Sequence, residues 1–541
     1  MDTKKQNGQF LVFPMAIGNL VFYSIPFVWI IYVSFTFGLD RLWVGLDNYK
    51  ELISNPTFQL AAVNTFKYII VSIPLLLMSS LLTALLVQRL GRAGLLLLFA
   101  LLLPMVMPSS AVSAIANVLF AEDGAINRCI ESIGLAPVLW LDSKALFSVF
   151  VCVYLWRNIG CASLMFFLAL SSIPKTYYNT AKIDGANSFR RFLNITLPQL
   201  GPAFFLTSLI SFMRLFDSFR DMLLMCGTYP NKSAYMLQHF IYNNFRSLNL
   251  SRLSTASLLL FLPIFIAALY LSSSNQKMIA LKGFLQINPN TTLETRRINP
   301  ALYLPTLVLI SAALFPFAYF LINSVKEWGI FFTEQYAYLS RFVNSMLLAL
   351  AILAGNTCIA CAAGFSLAKL RFRGRAVFYF IMILTALLPL QVMLTPNYLV
   401  LNKLNLLDTY WALILPQLFM PRSVFLMTLV FSNISNNILQ TAMLDGTGVV
   451  NMLRRIALPN SKFGLISVAM LSFIDAWNMI EQPMSFLKTP SKYPLVVYLS
   501  TTELSEVIGL NTVFNAVTVL AMIPAVVFLL LSARLFSKEF K

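Results

Sequence analysis

Thr180-Ala181-Lys182-Ile183-Asp184-Gly185-Ala186, running on to Ile195-Thr196-Leu197-Pro198, decides how this chain is read, because it occurs twice. Adding 261 to each number gives Thr441-Ala442-Met443-Leu444-Asp445-Gly446-Thr447, ending Ile456-Ala457-Leu458-Pro459. Across this gapless 19-residue window the Thr, Ala, Asp, Gly, Ile, Leu and Pro positions are identical. Both copies are polar islands between long apolar segments. A whole unit is therefore expected to be doubled, with the loop as a contact surface.

The chain has 541 residues, 58% of them hydrophobic and only 11% charged, with a mean hydropathy of +0.76. Soluble domains carry about a quarter charged residues, so a polytopic helical membrane protein is expected. A β-barrel would instead alternate in segments of about ten residues. The net charge of +18 does not point to nucleic acid, because Lys and Arg fall in short loops between apolar spans, as the positive-inside rule expects. Six cysteines, among them Cys152, Cys161, Cys358 and Cys361, form no spacing framework and read as small core residues. The first apolar run, from Phe10 to about Phe37, is too long for a signal peptide and reads as a retained span.

Twelve apolar spans suffice to cross a bilayer about 30 Å thick: near 10–37, 65–87, 94–118, 146–170, 201–222 and 255–275, then 301–324, 345–368, 377–400, 410–431, 463–481 and 511–533. With both termini cytoplasmic, 22 Lys and Arg lie inside, 13 outside and four within or near spans, and both repeated loops face the cytoplasm. The expected organisation is a first half at 1–275 with its loop at about 173–200, a polar linker at 276–299, and a second half at 300–541 with its loop at about 432–462. Six spans per half is even, so the repeat is parallel. Other features echo. Asn64-Thr65 and Asn344-Ser345 each open a span, and the span after it carries two prolines, Pro104/Pro108 or Pro389/Pro396, which free backbone carbonyls and can line a gated pathway.

Each loop reads as helix, glycine turn, helix and proline stop. Gly185 and Gly446 permit the turn, Ala181 and Ala442 allow close approach, and Asp184 and Asp445 are expected to cap the helix that follows. The pattern resembles the EAA loop of ATP-binding-cassette importer permeases, and its D-G-A form the carbohydrate subfamily typified by maltose permeases. Val44-Gly45-Leu46-Asp47-Asn48-Tyr49, Leu215-Phe216-Asp217 and Ile241 to Phe245 resemble that family's first subunit. Phe365 to Gly374, Leu404 to Tyr410 and Ala476-Trp477-Asn478 resemble its second. The resemblance implies an all-α type I importer permease with both subunits fused, in a bacterial cytoplasmic (inner or plasma) membrane among its lipids. It further implies an ATPase-coupling surface at Asn179, Thr180, Ala181, Asp184, Gly185 and Pro198, and at Gln440, Thr441, Ala442, Asp445, Gly446 and Pro459. The family's glutamate falls on Asn179 and Gln440, amides that must hydrogen-bond without charge assistance.

The dipeptide Gly-Lys never occurs, so the chain lacks a P-loop. It is not expected to be an enzyme or to hold a cofactor; ATP and Mg would sit on two partner ATPase domains, one under each loop. A single histidine, His239, rules out H-E-x-x-H and argues against a metal site; it reads as a solvated side chain in an outside segment. Outside segments are short, and the resemblance implies a separate solute-binding protein. Polar groups inside spans usually face a cavity or partner helix. Trp156, Arg157 and Asn158, with Asp217, Asp475, Trp477 and Asn478, are the candidate path for a carbohydrate, alongside Arg214 and Glu481. The alternative is that tryptophans anchor the interface and that Arg157 and Asp217 simply pair. Competing readings are a fused permease for iron, thiamine or polyamine, a major-facilitator-like carrier (also twelve spans in two parallel halves) and a channel. The doubled Asp-Gly loops between the fourth and fifth spans of each half argue against the carrier and the channel.

Overall fold

Inside a bilayer every backbone N–H and C=O must be paired within the protein, which leaves a chain this apolar only helices. The structure is a computed structural model describing residues 8–38, 40–272, 300–329, 336–500 and 510–539. Nine principal helices precede residue 273: α1 (Phe13–Ser34), α2 (Pro56–Leu90), α3 (Arg92–Val106), α4 (Ser109–Phe120), α5 (Leu146–Ser172), α6 (Lys175–Ile183), α7 (Gly201–Asp217), α8 (Phe219–Cys226) and α9 (Leu250–Ser272). Nine counterparts follow in the same order: α10 (Tyr303–Ser324), α11 (Tyr336–Lys369), α12 (Arg375–Ala386), α13 (Leu390–Lys403), α14 (Trp411–Ser432), α15 (Asn436–Leu444), α16 (Lys462–Trp477), α17 (Glu481–Phe486) and α18 (Leu510–Glu539). The only strands among the described residues are the pair Thr36–Phe37 and Leu42–Trp43 after α1. The expected linker at 276–299 lies outside the described residues.

The halves repeat in detail. Pro108 and Pro389 sit in extended backbone just before α4 and α13, and the chain bends there by 101° and 105°. The spans expected at 94–118 and 377–400 are therefore broken, not straight. Among the described residues seven helices are long and apolar enough to cross a membrane, four bent pairs bring the number to eleven, and α9 carries the twelfth apolar segment. The echo at Thr65 and Ser345 also has a structural basis. The Leu237 N–H donates to Thr65 Oγ1 at 2.8 Å, and the Leu495 N–H donates to Ser345 Oγ at 2.7 Å. In each half a hydroxyl on the second long helix thus tethers the segment after the fifth span.

The halves are interleaved. Helix α1 leans on the second half, where Asn19 Nδ2 donates to Thr385 Oγ1 at 3.0 Å and the Tyr23 hydroxyl to the Pro416 carbonyl at 3.2 Å. Reciprocally α10 packs on α3, and Trp156 Nε1 donates to the Ala312 carbonyl at 2.9 Å. One apolar cluster therefore mixes Phe22, Met105 and Phe219 with Leu348, Ile474 and Trp477. Small residues allow the closest approaches, as membrane helices require when no hydrophobic force drives them together.

One detail departs from the expectations, and a second was not anticipated. His239 is fully buried, not solvated: its Nδ1 accepts the Met236 N–H at 3.2 Å and its ring lies against Phe219 and Tyr235. Asp408, between α13 and α14, clasps the 488–492 loop. Its carboxylate accepts from Thr489 Oγ1 at 2.6 Å, from the Thr489 and Lys488 N–H groups at 3.0 and 2.9 Å, and from Lys492 Nζ at 2.9 Å. These donors favour the charged form and hold the carboxyl well below the usual carboxylate range, the Thr489 hydroxyl contributing most.

Packing and charge each give an expected outcome. A Cβ at Gly160 would sit 2.0 Å from the Leu101 carbonyl oxygen, whereas one at Gly201 meets nothing within 4 Å. Gly160→Val should cost about 3 kcal/mol by overpacking while Gly201→Ala changes little, read as melting temperatures of the purified protein. Asp408→Asn should lower the melting temperature at pH 7, because the stability a depressed carboxyl adds is fully present above its unfolded pKa and is lost as pH falls towards the folded one. That difference should shrink as pH falls below about 4.

Candidate functional sites

The two repeated loops adopt one conformation. Helix α6 ends at Ile183 with Asp184 at its C-cap and Gly185 at φ +75°; α15 ends at Leu444 with Asp445 and then Gly446, also at φ +75°. The Gly185 N–H donates to the Lys182 carbonyl at 3.1 Å and the Ala186 N–H to Ala181 at 2.9 Å. Gly446 to Met443 (3.1 Å) and Thr447 to Ala442 (3.0 Å) reproduce this. This is the paired-bond helix stop that needs a left-handed residue just beyond the cap. The aspartates do not cap the following helix as expected. Asn187 does so, its Oδ1 accepting the Arg190 N–H at 2.8 Å, and Gly448 takes that place in the second loop. Asp184 and Asp445 stand exposed, as do Asn179, Thr180, Pro198, Gln440, Thr441 and Pro459; Ala181 is half-buried and Ala442 buried.

What sequence reasoning missed in the loops is a matched set of exposed apolar side chains. Ile183 and Leu444 are each 87% exposed, Tyr177 and Ile438 are 49% and 48%, and Phe189 and Val450 are 68% and 52%. Every pair is related by the same 261-residue shift. Apolar side chains this exposed in a polar loop are a candidate contact surface.

The second site lies between the halves. Arg422, in α14, donates from Nη1 to Asp217 Oδ2 at 2.9 Å and from Nη2 to Asp475 Oδ2 at 2.6 Å. Arg220 lies 3.2 Å from Glu481 through Nε and 3.7 Å from Asp217 through Nη2, and its Nη1 donates to the Asn478 carbonyl at 3.0 Å. Gln391 Nε2 donates to Glu481 Oε1 at 3.2 Å. A cavity beside this network, with about 80 Å³ open to a water-sized sphere, is lined by Tyr23, Phe216 and Asp217 from the first half and by Pro389, Asn397, Gln417, Arg422, Gln482 and Phe486 from the second. Asn397 Oδ1 and Gln482 Oε1 are buried without a partner. Such atoms await a hydroxyl or water, since a buried unpaired amide is costly.

Of the candidate path residues, Asp217 lines this cavity, with Asp475 and Asn478 in the network beside it; both side-chain polar atoms of Asn478 lack a partner. The others lie elsewhere. Arg157 does not pair with Asp217; it binds Asp221, and it donates to the Met107 carbonyl at 2.7 Å and to Ser109 Oγ at 3.3 Å, filling the break between α3 and α4. Asn158 donates back to the Tyr154 carbonyl of its own helix at 2.8 Å. Trp156 bonds α10, and Trp477 is core, its Nε1 donating to the Ala521 carbonyl at 2.8 Å. The same shift that reveals the loops relates Arg220 to Glu481, a signal present in the sequence.

Residues 62–280 match the family described as "Binding-protein-dependent transport system inner membrane component". The chain is 31% identical over 230 residues to the arabinooligosaccharides transport system permease protein AraP of Bacillus subtilis (strain 168), covering 40% of this chain and 71% of that protein. It is 28% identical over 270 residues to the sulfoquinovosyl glycerol transport system permease protein SmoG of Agrobacterium fabrum, covering 48% and 88%. A crystal structure of a bacterial ABC transporter involved in alginate import aligns with 49% of this chain and 91% of that one, at 21% identity and a TM-score of 0.41.

Removing one partner from a fully buried ion network costs about 3–5 kcal/mol; Arg422 and Asp217 keep 17% and 23% of their side chains exposed, so the lower end of that range applies. Arg422→Ala, which strands Asp217 and Asp475, should therefore lower stability by that order. Arg422→Gln, paired with Asp217→Asn and Asp475→Asn, should recover much of it, as read by thermal unfolding of the parent and the variants side by side.

Proposed function

Because this chain belongs to the family of binding-protein-dependent transport system inner membrane components, and carries both permease halves in one polypeptide, we propose that it forms the translocation path of an ATP-driven carbohydrate importer. It is a permease component and not itself an enzyme. ATP and Mg would be bound by two separate ATPase domains, one docked beneath each repeated loop, and cargo would be delivered by an extracytoplasmic solute-binding protein. Both termini and both loops face the cytoplasm in this reading. The observation that carries it is the pair of loops: one glycine-stopped helix, built twice, presenting apolar side chains at the same positions, all of them exposed. Two equal docking helices suit a pair of like subunits that close and open together, drawing the halves between two packed arrangements.

The cargo assignment has its own support. The named relatives are permeases of an oligosaccharide and a glycosylglycerol system. Unpartnered amide oxygens of Asn397 and Gln482 stand among Tyr23, Phe216 and Phe486 in the cavity. Aromatic faces beside hydrogen-bonding groups match a sugar's alternating C–H and O–H surfaces. Asp217, Asp475 and Asn478 belong to this path in the proposed reading, with Arg422 and Gln482; Trp156, Arg157, Asn158 and Trp477 support it from outside.

The test is co-purification with the ATPase followed by cargo-stimulated ATP hydrolysis. Proline can neither adopt φ +75° nor supply the N–H that Gly185 and Gly446 donate. Gly185→Pro or Gly446→Pro should abolish coupled hydrolysis while membrane insertion persists. Ile183→Asp and Leu444→Asp should each weaken ATPase binding by about 1.5–3 kcal/mol, the worth of one buried aliphatic side chain. Full coupling in all four variants would remove the docking role.

A further inference from the structure

We propose that Arg220 and Glu481 form a charged plug on the molecular axis, closing the path between the halves, a reading that rests on the transport function above. The 261-residue shift that superposes the loops carries Gly201, which opens α7, onto Lys462, which opens α16. It carries Asp217 onto Asn478 and Arg220 onto Glu481. Arg220 and Glu481 are thus the same position in the two halves, and they touch: Nε lies 3.2 Å from Oε2.

Equivalent residues of a parallel repeat are exchanged by its two-fold axis, so their separation is twice their distance from that axis. Only groups lying on the axis can meet their own equivalents. The axis of a parallel membrane repeat runs along the membrane normal, which is also the direction cargo must travel between the halves. A contact between equivalents is therefore a contact across the path. Arg220 is 8% exposed and Glu481 0%, so the path is shut at this level.

Two like halves would set Arg against Arg or Glu against Glu here, a repulsion no rearrangement of the axis could avoid. The duplicated positions have diverged to opposite charges, which lets the axis close. The second layer follows the same logic, with Asp217 held by Arg422 and its equivalent Asn478 offering its carbonyl to Arg220. The pair is close without being well directed: neither Arg220 Nε nor Glu481 Oε2 has an aligned hydrogen-bond partner. Charge more than hydrogen-bond geometry holds it. Such a plug suits a switch, because groups that neutralise each other when dry are rehydrated when the halves part, and water replaces much of what separation removes.

The test uses the full chain in complex with its ATPase, the six native cysteines replaced by serine, carrying R220C and E481C. Because the contact is between the ends of two long side chains, a bifunctional methanethiosulfonate with a spacer of about 10 Å, long enough for thiols too far apart for a direct disulfide, should crosslink the two introduced thiols in the nucleotide-free complex. Trapping with ATP and vanadate should lower that yield at least about tenfold, the drop expected once about nine-tenths of the complexes have switched, and expose the thiol introduced by E481C to a membrane-impermeant methanethiosulfonate. Equal crosslinking in both states, or no labelling in the trapped state, overturns the plug. In parallel, R220E and E481R should each raise cargo-independent ATP hydrolysis, and the double swap should bring it back down; additive effects in the double variant would also overturn the proposal. A native chain that forms no complex with an ATPase and supports no ATP hydrolysis in one would instead overturn the transport reading, which separates the two failures.

Discussion

Arg422 sits between Asp217 of one half and Asp475 of its own, and the join between the halves depends on that arrangement. Burying one guanidinium in a membrane protein is costly, and burying two carboxylates beside it would be costlier still without it. Each charge is tolerable only because the others are in place, so the network behaves as one unit. It fixes how the last turn of α7 meets α14 and α16, and through them where the cavity and the Arg220–Glu481 pair fall. Apolar packing between the halves supplies area, while the ions supply register. Leucine and phenylalanine surfaces would slide past one another by a turn at little cost; a guanidinium between two carboxylates would not.

The duplication, the helical class and the position of the loops were legible in the sequence because they depend on local signals: hydropathy over twenty residues, a glycine after a short helix, a fixed shift between copies. The conformations of Gly185 and Gly446 are of this kind, since only a left-handed residue completes the stop that Lys182 and Ala181 begin. The partners of the buried charges were not legible. Arg422 is 205 residues from Asp217 and 53 from Asp475, and nothing local says which carboxylate each guanidinium meets. Trp477 had the composition of a sugar platform but the environment of a core residue. His239 sits in a polar stretch that folds inward because Phe219 and Tyr235 close over its ring. Asp184 lost the capping role to Asn187, since the glycine stop consumes the residues between them before the next helix can start.

The two halves share their bends but treat them differently, and this difference locates the cavity. In the first half the break before α4 frees carbonyls that Arg157 collects, reaching across from α5 to Met107 and Ser109 while Asp221 balances its charge. The gap is thereby filled. The residue 261 positions after Arg157 is Leu418, which has no donor to offer. The corresponding break in the second half is left open, and Leu387, Leu388, Pro389 and Leu390 line the cavity there. A duplicated proline break thus serves two ends: in one copy a side chain seals it, and in the other the space is kept. The cavity accordingly lies on the second half's side, where Arg422 lines it instead of filling the break, with the Arg220–Glu481 pair at its margin. In a fused chain this asymmetry is built in, since each half always meets the other and never a second copy of itself.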